Sequence, residues 1–168
     1  MWAEKYRPKS TKELFGKELS VAILKDFITN FKKQDKKAAL LYGPSGCGKN
    51  SLVNALCAEL GYEVIEFNAS QLRDAIMIKE ILKPATQQQS LFSKAKIIFI
   101  DEAEAFSGED RGGLQAVISL LEETKWPIVF AANDLWNKKL NDLRRETEPG
   151  EVKRLDFADI TKILERIC

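Results

Sequence analysis

The chain has 168 residues, of which 45% are hydrophobic and 30% are charged, with 26 basic and 25 acidic side chains and a net charge of +1. This length favours a single domain, and the composition excludes disordered, collagen-like and low-complexity chains. The absence of histidine excludes histidine-based acid–base catalysis and histidine-ligated metal sites. Because the net charge is near zero, any contact with nucleic acid must come from a local patch.

The start of the chain and its cysteines predict an intracellular protein. The first residues, MWAEKYRPKS, are charged where a secretory signal would need an apolar core. No apolar run approaches the ~18 residues of a membrane span. Cys47, Cys57 and Cys168 are odd in number and lack the spacing of a metal site. We therefore expect a soluble cytoplasmic protein in a reducing compartment, without membrane contact.

The predicted helices begin in a basic N-terminal region, where residues 1–39 hold ten Lys or Arg and five Asp or Glu. A solvated helix face is one explanation for such a run. From Glu18 to Phe31, apolar side chains recur every three or four residues, which predicts an amphipathic helix. The spacing resumes at Leu52 and stops at Gly61, a common helix cap. The other predicted helices cover residues 76–82, which we expect Pro84 and the glutamines at 87–89 to end, 114–121 and 160–167.

Short and almost wholly apolar segments lie between these helices and predict buried strands. The predicted strands cover residues 38–42, 62–67, 96–100, 127–132 and 152–157. Apolar strands that alternate with helices are typical of a parallel sheet covered on both faces. The sequence therefore predicts a three-layer α/β fold around a five-stranded parallel sheet.

The strongest motif is GPSGCGKN at residues 43–50, between a predicted strand and a predicted helix. It follows the phosphate-loop pattern, in which glycines let backbone N–H groups surround phosphates at the N-terminus of a helix. Lys49 would reach the phosphates as a point charge. An ordinary glycine-rich turn is the alternative, and the flanking strand and helix favour the phosphate loop. The candidate nucleotide-binding residues are Gly43, Pro44, Ser45, Gly46, Cys47, Gly48, Lys49, Asn50 and Ser51.

Asn50 departs from that pattern, because a Ser or Thr hydroxyl is expected there as a ligand of Mg²⁺. An amide oxygen can also bind Mg²⁺. Ser51 carries a hydroxyl but lies about 100° further round the helix. We expect ATP and Mg²⁺ to bind, while the metal geometry and the hydrolysis rate stay open.

Polar residues follow two of the predicted strands, at the edge where parallel sheets bind ligands. Asp101 and Glu102 end the segment IIFIDE, and Asn133 follows the strand at 127–132. An Asp can hold Mg²⁺ and its water shell, and a Glu can polarise a water for attack on the γ-phosphate. A solvated turn is the alternative for the two acids, but the upstream phosphate loop favours the functional interpretation. On spacing alone, Asn133 before an Asp is typical of a turn.

Five motifs in order resemble the large subunit of archaeal replication factor C, a clamp loader of the AAA+ ATPases. They are WAEKYRP, GPSGCGK, FNAS, IDEAEAFSGEDRGG and FAAND, and the likeness covers nearly the whole chain. GEDRGG and LRRE resemble the large rather than the small subunit. The resemblance implies a subunit that uses ATP to load the sliding clamp PCNA onto primer–template DNA. It also implies a pentamer with small subunits, associated with the nucleoid.

The same resemblance implies a role for individual residues. Lys49, Glu102 and Asn133 become catalytic, with Asn133 as the first sensor of the γ-phosphate, and Asp101 and Asn50 become the ligands of Mg²⁺. The N-terminal segment 1–17 would lie against adenine. Its implied base-side residues are Tyr6, Arg7, Pro8, Phe15 and Gly16.

Two arginines are candidates for contacts with DNA phosphates. The segment FNASQLR resembles a family box that precedes a helix facing DNA, with Gln71 in place of the family's Asp and with Arg73 retained. Arg111 precedes the next helix and is the second candidate. Phosphate contacts give binding that depends on salt but not on sequence. A surface ion pair is the alternative for either arginine.

The chain departs from the family in its C-terminal part. Residues 1–155 resemble the nucleotide-binding domain, and residues 156–168 would begin a helical lid whose remainder, like the collar domain, is not in this sequence. We therefore expect a fragment or one half of a split subunit. Residues 144–147 read Arg-Arg-Glu-Thr where small subunits carry a Ser-Arg-Cys arginine finger, so no finger is assigned. Because a finger supplied in trans contributes roughly 10³–10⁵ in rate, the isolated chain should hydrolyse ATP very slowly.

The segment QQQSLF invites comparison with a clamp-binding box. Gln88 and Leu91 fit its pattern, but Lys94 and Ala95 occupy the two aromatic positions, which argues against it.

Two further functions are alternatives to the ATP-hydrolysing clamp-loader subunit. One is a nucleotide-binding scaffold of the same complex that does not hydrolyse ATP, suggested by Asn50. The other is an AAA+ ATPase of another DNA task, such as origin binding or branch migration, and only EKYRP and GEDRGG argue against it.

Overall fold

The computed structural model describes residues 5–72, 74–88, 95–106 and 112–167. In this part of the chain, five parallel strands form one sheet in the order β2-β3-β4-β1-β5. The strands are β1 (Ala38–Tyr42), β2 (Tyr62–Asn68), β3 (Ala95–Asp101), β4 (Ile128–Ala132) and β5 (Thr147–Glu151). The order places β1 between β4 and β5, so the segment after β1 emerges between the carboxyl ends of these two strands.

Besides short 3₁₀ turns, six longer helical segments accompany the strands within the described residues. They are α1 (Glu18–Thr29), α2 (Lys49–Leu60), α3 (Ala75–Met77, continued by Ile78–Leu82 and Lys83–Gln87), α4 (Gly113–Glu123), α5 (Asn141–Glu146) and α6 (Phe157–Ile167). The predicted cap is confirmed, because Gly61 ends α2 in a left-handed conformation with φ 69°. None of the described helices is long and apolar enough to cross a membrane.

The sheet separates two buried clusters, as its nearly continuous apolar strands predict. Side chains alternate across the sheet, so that Leu40 belongs to one cluster and Leu41 to the other. Helices α3, α4 and α5 cover the Leu40 side through residues such as Ile78 and Val117. Helices α1 and α2 cover the Leu41 side. The three-layer α/β fold with a parallel five-stranded sheet is therefore confirmed.

The predicted fifth strand at residues 152–157 is wrong, because β5 is the preceding segment Thr147–Glu151. Its sequence, TEPGE, has no apolar pattern. This strand lies at the edge of the sheet and pairs on one side only, and no more than two of its five residues are buried. Pro149 is compatible with this position because an edge strand does not need every N–H group for pairing. Residues 152–156 have no regular structure, and α6 begins at Phe157. A domain boundary at residue 155 stays a prediction.

The expectation that Pro84 ends its helix is also wrong, because α3 continues to Gln87. A proline ring normally collides with the carbonyl four residues earlier, here that of Glu80. Residues Ile78–Leu82 form a π-helical turn, whose wider spacing accommodates the ring. The helix does end at the glutamine tract, where Gln88 is extended.

Candidate functional site

The carboxyl ends of β1, β3 and β4 bring the predicted phosphate loop and strand-end residues into one cleft. Residues 43–48 join β1 to α2, which begins with Lys49 and Asn50 of the motif, while Asp101 ends β3 and Asn133 follows β4. The cleft has a volume of about 330 Å³, and we call it the phosphate cleft. It is lined by Ser45, Gly46, Gly48, Lys49, Asn50, Ser51, Asp101, Glu102, Glu104, Ala131, Ala132 and Asn133.

Two glycines give the loop a shape that leaves its amides free. Gly46 and Gly48 have φ angles of +75° and +97°, and a Cβ atom at either position would meet nothing within 4 Å. Among the described residues, the amide N–H of Cys47 donates to the Pro44 carbonyl at 3.2 Å, whereas those of Gly46 and Gly48 have no acceptor. Unpaired N–H groups in front of the 12-residue helix α2 form a site for phosphate oxygens.

Lys49 points into the cleft and is only 8% exposed. Its Nζ donates to the carbonyls of Gly43 and Pro44 at 2.7 and 3.3 Å, and to Asn133 Oδ1 at 3.1 Å. The ammonium group is thus held between the phosphate loop and the end of β4. A phosphate oxygen in the cleft would be a stronger, charged acceptor for the same group.

Asn50 and Asp101, the predicted ligands of Mg²⁺, contact each other directly. Asn50 Nδ2 donates to Asp101 Oδ2 at 2.8 Å, and the amide of Glu102 donates to Asp101 Oδ1 at 2.8 Å. No group of three or more Cys, Asp or Glu in the described ranges could hold a metal unaided. This fits Mg²⁺, which commonly uses one or two carboxylates together with waters and substrate phosphates. Asp101, with the free amide oxygen of Asn50, has the oxygen chemistry that Mg²⁺ requires.

Glu102 lies beside Asp101 at the mouth of the cleft and is tied to β2. It has a φ of +55°, the one positive φ among described residues other than glycine. Its Oε2 accepts a hydrogen bond from Asn68 Nδ2 at 3.0 Å. Asn68 ends β2 inside the FNAS motif and was not among the predicted site residues.

A second carboxylate that the sequence analysis missed, Glu104, joins the end of β3 to the end of β4. Its Oε1 accepts hydrogen bonds from the backbone N–H groups of Asn133 and, at 3.2 Å, of Asp134. Glu104 is the acid two residues after Glu102 in IDEAEAF, which was the available signal. Its partners lie 29 and 30 residues away, so spacing alone could not reveal them.

A smaller cleft of about 200 Å³ lies on the other side of the phosphate loop, and we call it the base-side cleft. It shares Gly46, Gly48 and Ser51 with the phosphate cleft. Its other lining residues are Tyr6, Pro8, Glu13, Leu14, Phe15, Lys17, Cys47, Leu155, Ile163 and Arg166. Rings and aliphatic side chains dominate this lining, which suits the flat apolar faces of a nucleobase.

Three of the five predicted base-side residues line this cleft, namely Tyr6, Pro8 and Phe15. Arg7 is exposed, and neither Arg7 nor Gly16 is among the lining residues. A Cβ atom on Gly16 would lie 2.2 Å from Asp159 Oδ2 of α6, so this glycine allows close packing of the N-terminal segment on α6.

An ion pair that sequence analysis missed lines the base-side cleft. Arg166 Nη2 of α6 donates to Glu13 Oε2 at 2.6 Å. The backbone N–H of Lys9, followed by Arg166, lowers the pKa of the Glu13 carboxyl. The ionised form of Glu13 is thereby favoured, and its pair with Arg166 holds α6 against the N-terminal segment.

The DNA-contact predictions lie outside the described residues. Arg73 and Arg111 belong to the parts of the chain that the structure does not describe, as do residues 89–94 of the rejected clamp-binding box. Cys57 lines neither of the two clefts. Burial raises the pKa of the Cys57 thiol to about 12, which keeps it protonated.

Comparisons with known proteins agree with this geometry. Residues 39–147, which include Lys49, Asp101 and Asn133, match the ATPase family associated with various cellular activities (AAA). The chain is 47% identical over 165 residues to the replication factor C large subunit of Nanoarchaeum equitans, covering 97% of this chain and 38% of that protein. It is 42% identical over 170 residues to the replication factor C large subunit of Staphylothermus marinus, covering 99% of this chain and 40% of that protein.

A third relative, the replication factor C large subunit of Thermofilum pendens, is 43% identical over 173 residues, covering 99% of this chain and 41% of that protein. The expected resemblance to archaeal replication factor C large subunits is thus confirmed. The chain spans about two fifths of the length of these relatives. Since the family match covers well over half of the chain and contains the phosphate loop and both strand-end positions, the chain belongs to the AAA family of ATPases.

Proposed function

We propose that this chain is the ATP-binding and ATP-hydrolysing part of a clamp-loader large subunit, acting in DNA replication. In this proposal it works with small subunits in a pentamer and loads the sliding clamp PCNA onto primer–template DNA. The observation that carries the nucleotide chemistry is the contact of Lys49 Nζ with both the phosphate loop and Asn133. That contact joins the phosphate loop after β1 to the end of β4, where a triphosphate would lie.

Different residues of the two clefts would bind different parts of the nucleotide. The free amides of the loop and Lys49 would hold the β- and γ-phosphates, and Asn133 would sense the γ-phosphate. The base would lie between Tyr6 and Phe15 in the base-side cleft. Because the two clefts share the loop glycines, one extended nucleotide can occupy both.

The hydrolysis step uses carboxylates, since the chain lacks histidine. Asp101 and Asn50 would hold Mg²⁺, which neutralises charge on the phosphates when it is bound. Glu102 would accept a proton from the attacking water, and the hydrogen bond from Asn68 Nδ2 competes for its Oε2. The chain alone should turn over very slowly, because an arginine finger from a neighbouring subunit typically adds roughly 10³–10⁵ in rate.

The test compares Lys49→Ala with Lys33→Ala in nucleotide binding and clamp loading. Lys33 is an exposed lysine after α1 and lines neither cleft. We expect Lys49→Ala to weaken binding of fluorescent ATP by about tenfold or more, since it removes a buried charge-assisted contact. In the assembled complex it should abolish loading of PCNA, whereas Lys33→Ala should bind nucleotide as the unaltered chain does. Unchanged ATP binding by Lys49→Ala would refute the proposal.

A second candidate function is a nucleotide-binding scaffold of the same complex that does not hydrolyse ATP. The contact between Asn50 Nδ2 and Asp101 Oδ2 favours it, because this hydrogen bond occupies a carboxylate oxygen that would otherwise be free for Mg²⁺. The variant Asn50→Thr restores the usual hydroxyl. The scaffold predicts negligible ATP turnover in the assembled complex before the change and a clear rise after it. Equal turnover of both forms, well above background, would reject the scaffold.

The contacts with DNA and the C-terminal lid belong to the same proposal. Arg73 and Arg111 would contact phosphates of the primer–template duplex, which predicts binding that weakens with salt. Residues 156–168 would begin the lid over the nucleotide, consistent with α6 bordering the base-side cleft through Ile163 and Arg166. The proposed location is the cytoplasm, at the nucleoid.

A further inference from the structure

Glu104 occupies an unusual place for an acid, because it lines the cleft that we assign to phosphates. A carboxylate there repels a triphosphate unless its charge is engaged elsewhere. The structure shows that engagement, since Glu104 Oε1 accepts hydrogen bonds from the successive N–H groups of Asn133 and Asp134. The same oxygen is therefore not available as a base that competes with Glu102.

The turn that carries Glu104 is firmly anchored. Residues Ala103–Ala105 form a 3₁₀ turn after β3, closed by a hydrogen bond of 2.7 Å from the Ala105 amide to the Glu102 carbonyl. Ala103 and Phe106 on either side are 0% and 1% exposed. The main chain that carries the Glu104 carboxylate is therefore held in place. The two hydrogen bonds that this carboxylate accepts from backbone amides fix the segment after β4 relative to β3.

Asn133 is consequently held at both ends. Glu104 holds its main chain, while its side-chain Oδ1 accepts from Lys49 Nζ at 3.1 Å. Just before it, the Ala132 carbonyl accepts from the Gly43 amide at 3.2 Å, which ties the end of β4 to the phosphate loop. Without Glu104, the main chain of Asn133 would lose its one side-chain anchor among the described residues, and its amide group could turn away from Lys49.

We propose that Glu104 is the positioning residue of the sensor, and that by fixing Asn133 it sets the preference of this chain for ATP over ADP. The inference rests on the proposed function, because it needs a γ-phosphate beside Lys49. Glu104 itself touches no phosphate in this scheme. It acts through Asn133, so its loss should weaken the binding of ATP, which has a γ-phosphate, and leave the binding of ADP unchanged.

The test compares Glu104→Ala and Glu104→Gln in equilibrium binding of ATP and ADP with Mg²⁺, with Glu122→Ala as the matched control. Glu122 is an exposed acid of α4 that lines neither cleft. Removing two charge-assisted hydrogen bonds should raise the Kd for ATP by about tenfold in Glu104→Ala and change the Kd for ADP by less than about twofold. Glu104→Gln keeps an oxygen for both amides and should stay within about threefold of the unaltered chain for ATP.

Hydrogen exchange gives a readout that does not need nucleotide. In the nucleotide-free chain, the amides of Asn133 and Asp134 should exchange faster in Glu104→Ala and remain protected in Glu104→Gln. Equal weakening of ATP and ADP in Glu104→Ala, or no weakening of either, would overturn the positioning role while leaving the proposed function intact. If the unaltered chain bound neither ATP nor ADP, the proposed function would be overturned. The sensor role would then fall with it, even if hydrogen exchange showed that Glu104 protects the two amides.

Discussion

Replacement of Gly43 by Ala should destabilise the fold more than any other Gly-to-Ala change in the phosphate loop. A Cβ atom at Gly43 would lie 2.1 Å from the backbone carbonyl oxygen of Val152, far inside van der Waals contact. The residue cannot move aside easily. Its N–H donates to the Ala132 carbonyl, and its own carbonyl accepts from Lys49 Nζ at 2.7 Å.

The magnitude follows from two contributions. Gly43 has a φ of +156°, and an L-residue in a conformation that favours glycine costs roughly 1–2 kcal/mol. The collision is with backbone and not with a flexible side chain, and overpacking of this kind costs typically about 1–3 kcal/mol. We therefore expect a loss of roughly 2–5 kcal/mol in the free energy of unfolding. For a chain of this size, each kcal/mol lowers the Tm by about 2–4 °C.

The assay is urea unfolding followed by circular dichroism, with Gly61→Ala as the matched control. Gly61 also has a positive φ, +69°, but a Cβ atom there would meet nothing within 4 Å. The control therefore isolates the conformational cost, roughly 1–2 kcal/mol. If Gly43→Ala were no less stable than Gly61→Ala, the close packing of the phosphate loop on Val152 would be refuted.

Three further predictions concern other contacts of the site. Asn68→Ala should raise ATP turnover of the assembled complex by about threefold or more, because Glu102 Oε2 is released from its hydrogen bond and can accept a proton from the attacking water; unchanged turnover would contradict this. Arg166→Ala should weaken the binding of ATP and the binding of ADP equally in a titration at pH 7. Because the pKa of Glu13 is lowered, the stabilisation from the Glu13–Arg166 pair should persist as pH falls to the usual glutamate pKa of about 4.3 and be lost below it. Acid unfolding of the unaltered chain and of Arg166→Ala measures this loss. The Cys57 thiol, with a pKa raised to about 12, should resist alkylation at pH 8 until the protein is unfolded, as peptide mass spectrometry would show.

The parts of the fold that the sequence predicts well are those with strong local patterns. Strands β1, β3 and β4 are buried on both faces, so almost every residue in them is apolar and their limits were predicted to within a residue or two. Strand β5 is different. It pairs only with β1, contains Pro149 and exposes three of its five residues, so burial imposes no pattern on it. Tertiary pairing selects this segment over the more apolar one that follows.

The site divides in the same way. The phosphate loop and Asp101 were predicted because each follows a recognisable strand, whereas Asn133 was assigned as a sensor only through the family resemblance. Parallel topology then brings the three together. The bond from Asn68 to Glu102 crosses 34 residues and that from Arg166 to Glu13 crosses 153. Such pairs depend on side-chain directions in the folded sheet, about which a single sequence holds no information.

The charges of the phosphate cleft explain why these pairings matter for its chemistry. Lys49 is the one basic side chain lining the cleft among the described residues, against the acids Asp101, Glu102 and Glu104. An anionic triphosphate would thus meet a lining with more negative than positive side chains, and unengaged carboxylates would repel it. Each acid instead accepts at least one hydrogen bond from a nearby amide group, of the backbone or of an asparagine side chain. Those donors, together with the free loop amides and the N-terminus of α2, let the cleft keep its acids for metal binding and proton transfer while it still accepts phosphate.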